Sequence, residues 1–298
     1  MVGPAAAATY DLQRADITYD VQADGSVNVE ERLTLLVHSR LRGAYRLIPD
    51  EAPVKIEGLI VGEHDPLAER DLAYSSGGSA GVGSPGPPRT WGAAIAGFPR
   101  KDWIQVVWHT GPRTGTRTFV LLYAMRNFVV AYRDVGDLYL RVWGDEWPVA
   151  LRRLHAEVVL PGGVAAGDPH FRGWSLPASS RGRVRLASGR LVLDASNVPA
   201  HRFVELEAVF PRRLLTRTGA YQVGLGDGFP AVLARRARAF VSPFGATPSP
   251  LLTRVTAKPR GGDGGGGFPW WVVFLAATVL AWIVLDLRRR FGRRSATT

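Results

Sequence analysis

Glu205 and Glu207 stand two residues apart in the alternating run FVELEAVF, so on an extended chain rising about 3.4 Å per residue both carboxylates project from one face. Two acids within reach of one another are the equipment of a glycosidase, in which one protonates the leaving oxygen while the other attacks or activates water. That chemistry needs the acids on opposite sides of a sugar, usually from different elements. Alternate glutamates are also how a strand keeps its outer face soluble, and a solvated face is the expectation here. Gly77-Gly78-Ser79-Ala80-Gly81 satisfies G-x-S-x-G, whose serine works only on a strained strand-to-helix turn beside an oxyanion hole. It sits inside SSGGSAGVGSPGPP, residues 75–88, which reads as a mobile glycine- and serine-rich surface loop.

Metal and phosphate chemistry are no better marked. The six histidines, His38, His64, His109, His155, His170 and His201, contain no pair at the i, i+4 spacing of a helical zinc site. Asp168 with His170, and His64 beside Asp65, would hold a metal only if distant loops converged, so turn or surface positions are expected for all six, with His155 facing solvent. Gly224 to Gly228 (GLGDG) lacks the lysine that completes a phosphate-binding loop. The absence of cysteine removes disulfides, thiolate metal sites and thiol catalysis together. No catalytic residue, metal or cofactor is assigned.

The elements that would position these side chains are strands. Ile17, Tyr19 and Val21 alternate with polar residues, Asp24-Gly25 makes a tight turn, and Val27, Val29, Leu33, Leu35 and Val37 resume the alternation. Glu31 interrupts that apolar face, as an edge or bulge position would allow. Further strands are predicted over 56–61, 103–109, 116–123, 128–132, 138–143, 149–160, 183–186, 190–193 and 202–210, with Ser188-Gly189 as a second hairpin turn. Short strands at turn-separated spacing predict a mainly β fold, a β-sandwich of one large or two smaller modules over residues 15–213, preceded by a tail or signal-peptide remnant over 1–14.

Residues 214–267 read as a juxtamembrane stalk ending in the glycine-rich spacer 261–267. Within it, Pro230 to Val241 predicts a short basic helix with Leu233, Ala237, Phe240 and Val241 on one face and Arg235, Arg236 and Arg238 off it, either solvated or resting on lipid headgroups. Phe268 to Leu287 then forms a nearly unbroken apolar stretch, FPWWVVFLAATVLAWIVLDL, long enough at about 1.5 Å per residue to cross a hydrocarbon core of roughly 30 Å. Trp270, Trp271 and Trp282 lie near its ends, where indole rings favour the headgroup level. The basic tail 288–298 follows, with Arg288, Arg289, Arg290, Arg293 and Arg294. Carrying each arginine through the bilayer centre costs about 2.5 kcal/mol or more, so the tail is expected in the cytoplasm and the β domain outside the plasma membrane.

The 298 residues carry a formal charge of +11, to which the five tail arginines contribute heavily. An excess of this size, without a recognition module, excludes nucleic acid as the expected partner and leaves the lipid bilayer and an envelope protein or anionic wall polymer.

Between Phe119 and Pro161 lie an aromatic strand ending in Tyr123, then Asn127, Asp134, the pair Leu138-Tyr139, Gly144, Trp147 and a strand ending in Leu160-Pro161. This order resembles the YciQ-like family of predicted bacterial membrane proteins, a family of unknown function, as do Asp24-Gly25-Ser26-Val27 and Gly43 to Pro49. The resemblance covers about residues 15–213 and departs at Leu140 and Arg141, where the family commonly has Trp and Asn. It implies an extracytoplasmic domain on a membrane anchor and names no activity. Aromatic and arginine side chains anchor recognition surfaces, and Tyr45, Arg46, Trp103, Trp108, Tyr139 and Trp147 are the candidates for a binding groove. The expected role is a binding or assembly module. The alternative is an extracytoplasmic hydrolase of wall glycan or peptide using Glu205, Glu207, Asp145 or Glu146.

Overall fold

The computed structural model describes residues 10–39, 41–50, 53–84, 86–96, 103–176 and 182–241, with side chains described as far as Arg236. The apolar stretch 268–287, its tryptophans and the arginine tail lie outside these residues. Among the described residues no helix is long and apolar enough to cross a membrane.

In chain order the strands are β1 (Tyr10–Val21), β2 (Val27–Val37), β3 (Gly43–Pro49), β4 (Lys55–Asp65), β5 (Arg70–Ala73), β6 (Ser75–Ser76), β7 (Thr90–Ile95), β8 (Trp103–His109), β9 (Gly115–Arg126), β10 (Val130–Ala131), β11 (Val135–Trp143), β12 (Leu151–Val159), β13 (Arg172–Leu176), β14 (Arg183–Ala187), β15 (Arg190–Val198), β16 (Val204–Pro211) and β17 (Gln222–Val223). Among the described residues one α-helix, α1 (Gly228–Val241), follows. The protein is mainly β, as its alternation predicts. Among the described residues three open sheets form, ordered β14-β15-β12-β1-β2-β9-β4-β5, β13-β16-β11-β10-β17 and β3-β8-β7-β6.

The first hairpin sets the largest sheet. Gly25 takes φ +79° and the Asp24 carboxylate accepts hydrogen bonds from the Ser26 amide at 2.9 Å and its hydroxyl at 2.6 Å, which fixes the register pairing Val21 with Val27. An added Cβ at Gly25 would lie 2.7 Å from the Tyr221 ring, so the turn needs glycine for space as well as for backbone. Strand β1 then pairs in parallel with β12, Leu12 opposite Leu151, bringing the two halves of the chain into one sheet.

A single cluster of buried side chains runs through the strands of all three sheets, from Leu12, Ile17 and Leu33 to Trp108, Trp143, Phe171 and Phe210. Strands β11 and β16 depart from the amphipathic pattern, Arg141 being the one residue of β11 that is not buried. Every residue of β16 is buried, because the core covers one face and α1 the other. Strand β2 alternates as predicted, yet Glu31 is fully buried in a strand flanked on both sides by β1 and β9. It occupies neither an edge nor a bulge. Its charge is tolerated because Arg46 reaches it from β3 with a 2.8 Å bond.

Candidate functional site

Strands β11 and β16 pair antiparallel with Asp137 opposite Val209, Tyr139 opposite Glu207 and Arg141 opposite Glu205, and β13 sets Trp174 opposite Glu207 on the other side. Directly opposed residues share a face of a sheet. Asp137, Tyr139, Arg141, Glu205, Glu207 and Trp174 therefore stand on the face away from Leu138, Leu140, Leu206 and Phe210, which belong to the core. This correction follows for the carboxylate pair: Glu205 is 6% and Glu207 0% exposed, so the alternation marks a second buried face rather than a wet one.

Helix α1 covers that face. The Asp134 carboxylate accepts from the amides of Gly228 at 2.6 Å and Phe229 at 3.1 Å, capping two donors that a helix start leaves open, while Arg133 pairs with Asp227 at 2.6 Å. One turn on, Val232 is fully buried against Val135 and Val209, with Phe229, Tyr132 and Trp174 around it. The next turn delivers Arg235 and Arg236. Arg235 Nη2 donates to Asp137 Oδ2 at 2.9 Å and to Glu207 Oε1. Arg236 pairs with Glu207 Oε2, and its guanidinium lies 5.8 Å from the Tyr139 ring centre and 5.6 Å from that of Trp174. The sequence reading of this helix is thus corrected: Leu233 is exposed, and Arg235 and Arg236 face the sheet instead of water or headgroups.

The electrostatics follow from burial. Desolvation, and then the neighbouring Asp137, push the Glu207 carboxyl above its ordinary range, against the pull of Arg236 and Arg235. Burial opposes the charge on Arg235, but Asp137 and Glu207 outweigh it and raise that guanidinium further. Glu205 is engaged at both oxygens, accepting from the Tyr139 hydroxyl and, at 3.3 Å, from Arg141 Nη2. Burial first, and then Glu205, drive the Tyr139 phenol well up. The Arg141 guanidinium sits 5.1 Å from the Trp103 ring and 4.8 Å from that of Phe203, with Asp145 at 3.9 Å. The face therefore continues past α1 into a partly exposed aromatic rim around an arginine.

A second charged group lies inside the fold. Arg46 donates to Glu31 at 2.8 Å, to Glu146 at 2.7 Å and to the Val142 carbonyl at 3.1 Å, and Tyr123 donates to the other oxygen of Glu31 at 2.8 Å. Trp143 and Trp147 stack at 5.2 Å beside it. Of the six candidate groove residues, the structure brings Tyr45, Arg46 and Trp147 to the neighbourhood of Glu146, places Trp103 and Tyr139 around Arg141 and Glu205, and sends Trp108 into the core against Phe119. Antiparallel pairing of β3 with β8 puts Tyr45 and Trp103 on one face of the sheet and Arg46 and Trp108 on the other. Arg46, Trp108, Tyr139 and Trp147 are buried, so the six present no common exposed surface.

The remaining motifs separate as well. The Ser79 hydroxyl accepts from the Gly81 amide at 3.3 Å, while His109 approaches Ser79 at 2.9 Å through its carbonyl, so imidazole and hydroxyl are not set up for proton transfer. His109 is 4% exposed, unlike the surface position expected, because Gly78 and Gly86 lie against its ring and the Ser79 carbonyl meets it. A cavity of about 650 Å³ opens beside it, lined by Arg42, Tyr45, Val82, Ser84 and Pro112. His64 turns to Asp71 and His155 to Asp194, each at 2.8 Å, while the Asp168 carboxylate caps the His170 amide and meets Arg213. Among the described residues no group of three His, Asp or Glu side chains converges as a metal site would require.

The members of the sheet-face site that sequence reasoning missed are Asp137 and Trp174. Their signal was the adjacent pair Arg235-Arg236, three and four residues beyond Val232, whose charges need carboxylates to face.

Fold and site together define a mainly β domain that holds guanidinium groups on a sheet face. The chain belongs to the predicted membrane protein (DUF2207) family, whose N-terminal domain matches residues 11–210, and it is thus a membrane protein of a family of unknown function. Among solved structures it is similar to a candidate protease from Parabacteroides distasonis (13% identity, 69% of this chain and 41% of that one, TM-score 0.38). An M1 zinc metallopeptidase from Deinococcus radiodurans gives 10% identity over 67% of this chain and 42% of its own, TM-score 0.33. Yeast LTA4 hydrolase with bestatin gives 7% over 67% and 28%, TM-score 0.38. This chain spans less than half the length of these structures, and similarity at these scores carries no argument about activity. No curated protein sequence matches the chain.

Proposed function

We propose that the protein is a single-span cell-envelope protein of the plasma membrane, with a β-sandwich domain outside, a short stalk, a membrane helix over 268–287 and a cytoplasmic arginine tail, and that the outer domain acts as a binding or assembly module. Family membership supports the membrane location. The apolar stretch with its tryptophans and following arginines supports the topology and orientation.

The observation that carries the binding reading is the sheet face of β11, β13 and β16. Its acids and rings are arranged to hold arginine, and they continue into the partly exposed rim of Trp103, Arg141 and Phe203. The same observation weighs against the hydrolase alternative. Glu205 and Glu207, its leading acids, are engaged with Tyr139, Arg141, Arg235 and Arg236, and Glu146 is engaged with Arg46.

A photoreactive side chain placed at Phe203 in intact cells tests the reading against the same group at Leu67, which is 96% exposed on the β4–β5 turn. A discrete adduct with an envelope protein or wall polymer from position 203, absent from position 67, is the expected result. Equal or absent labelling at both positions would contradict it.

A further inference from the structure

Asp137 and Glu207 are both fully buried, and α1 supplies Arg235 and Arg236 to them. Two carboxylates shut away from water on neighbouring strands repel each other and lose hydration, so a counter-charge is a condition of the closed arrangement. The parts that receive that charge belong to the sheet: Asp137 and Tyr139 on β11, Glu207 on β16 and Trp174 on β13. Arg236 meets the Tyr139 ring at 5.8 Å, the Trp174 ring at 5.6 Å and the Glu207 carboxylate, while Arg235 meets Asp137 and Glu207, and rings beside a carboxylate recognise a planar guanidinium in preference to an ammonium.

The occupant, in contrast, is an appendage. Helix α1 joins the sheet through Gly224 to Gly228, with Gly226 at φ +72°, and its apolar seat consists of Phe229 and Val232. Bare departure of α1 would strand the buried carboxylates, whereas exchange for another pair of arginines would not. The receiving face is also longer than its internal occupant. Beyond the arginines of α1 it runs on through Glu205 and Tyr139 to the rim of Trp103, Arg141 and Phe203, where the Arg141 side chain is 18% exposed.

We infer that this face is a receptor for paired guanidinium groups, filled within the chain by Arg235 and Arg236, and that it exchanges α1 for a helical segment of a partner envelope protein bearing two adjacent arginines. The inference rests on reading the domain as a binding module and names the chemistry of its partner. Helix α1 is then a built-in competitor that sets how strongly such a partner must bind.

Two measurements on the full-length chain in detergent test this. In Arg236→Ala, ethylguanidinium should restore part of the lost melting temperature, and ethylammonium at the same concentration should not. Equal rescue by both, or by neither, would overturn the cage. In the second, a labelled peptide of sequence 228–241 is titrated against wild type and against Arg235→Ala/Arg236→Ala. The double variant should bind about tenfold or more tightly than wild type, and adding Glu207→Gln should abolish the gain. Equal binding by both proteins contradicts exchange.

Should the double variant not melt cooperatively, hydrogen exchange of α1 in isotope-labelled wild type decides. Excess peptide should accelerate it, and no change would overturn the inference. Adducts at position 203 together with failure of these arms would leave the binding reading standing without the cage, whereas loss of both would remove both.

Discussion

Arg46 shows how a single side chain holds distant segments in one arrangement. It ties Glu31 on β2 to Glu146 after β11 from inside the core, and it is 3% exposed. Removing one partner of a buried ion pair leaves the others uncompensated, so Arg46→Met should lower unfolding free energy by about 3–5 kcal/mol in chemical denaturation. Replacing the whole group, as Glu31→Leu/Arg46→Met/Glu146→Leu, should regain most of that loss. Glu63 makes a pH-dependent counterpart. Burial works to raise its carboxyl, but hydrogen bonds from Arg117 and Tyr74 outweigh it and hold the group below its ordinary range. The native state thus binds this proton more weakly than the unfolded chain. The stabilisation is complete above the unfolded carboxylate value and is lost as pH falls through the depressed native one. Glu63→Gln should accordingly cost about 1–3 kcal/mol at neutral pH and flatten the acid limb of a stability–pH profile. At this scale the sequence showed Glu31 only as an interruption, because the arginine that answers it lies on another strand.

Among the elements, the β1–β2 hairpin was legible from Asp16 onward, since Asp24-Gly25 is a local turn signal and alternation on either side fixes the register, whereas Tyr10 to Arg14, read as part of a tail, form the start of β1 and pair with β2. Gly25→Ala forces a left-handed conformation on a residue with a Cβ and drives that atom into Tyr221. The expected cost is about 1–2 kcal/mol or more, read from the thermal midpoint. Most longer strands were legible for the same reason, β8 to the residue. The short β5, β6, β13 and β17 carry too few residues for alternation to mark them surely, β10 falls inside the strand predicted over 128–132, and β7 was not predicted. Helix α1 was legible as a helix, but its buried side was assigned to Leu233 where Val232 and Arg235 to Arg236 occupy it. Hydrophobic periodicity cannot find a face whose contacts are ionic, and the carboxylate partners of this one, Glu207 and Asp137, lie 28 and 98 residues upstream of Arg235. For the same reason Glu205 and Glu207 read as solvated: a strand's own pattern does not disclose what covers it.

For the whole molecule, the account joins a mainly β domain of a predicted membrane protein family to an apolar stretch and an arginine tail that lie outside the described residues. Its central claim is that this domain works on the outer side of the plasma membrane. A chain without cysteine allows a direct test, since any thiol label reports only an introduced site. Leu67→Cys places a thiol on an exposed turn of the β domain, and Ser295→Cys places one in the arginine tail. With a membrane-impermeant maleimide on whole cells, the account predicts labelling of Leu67→Cys at once and of Ser295→Cys only after permeabilisation. Labelling of the tail in intact cells while the β domain stays protected would contradict it.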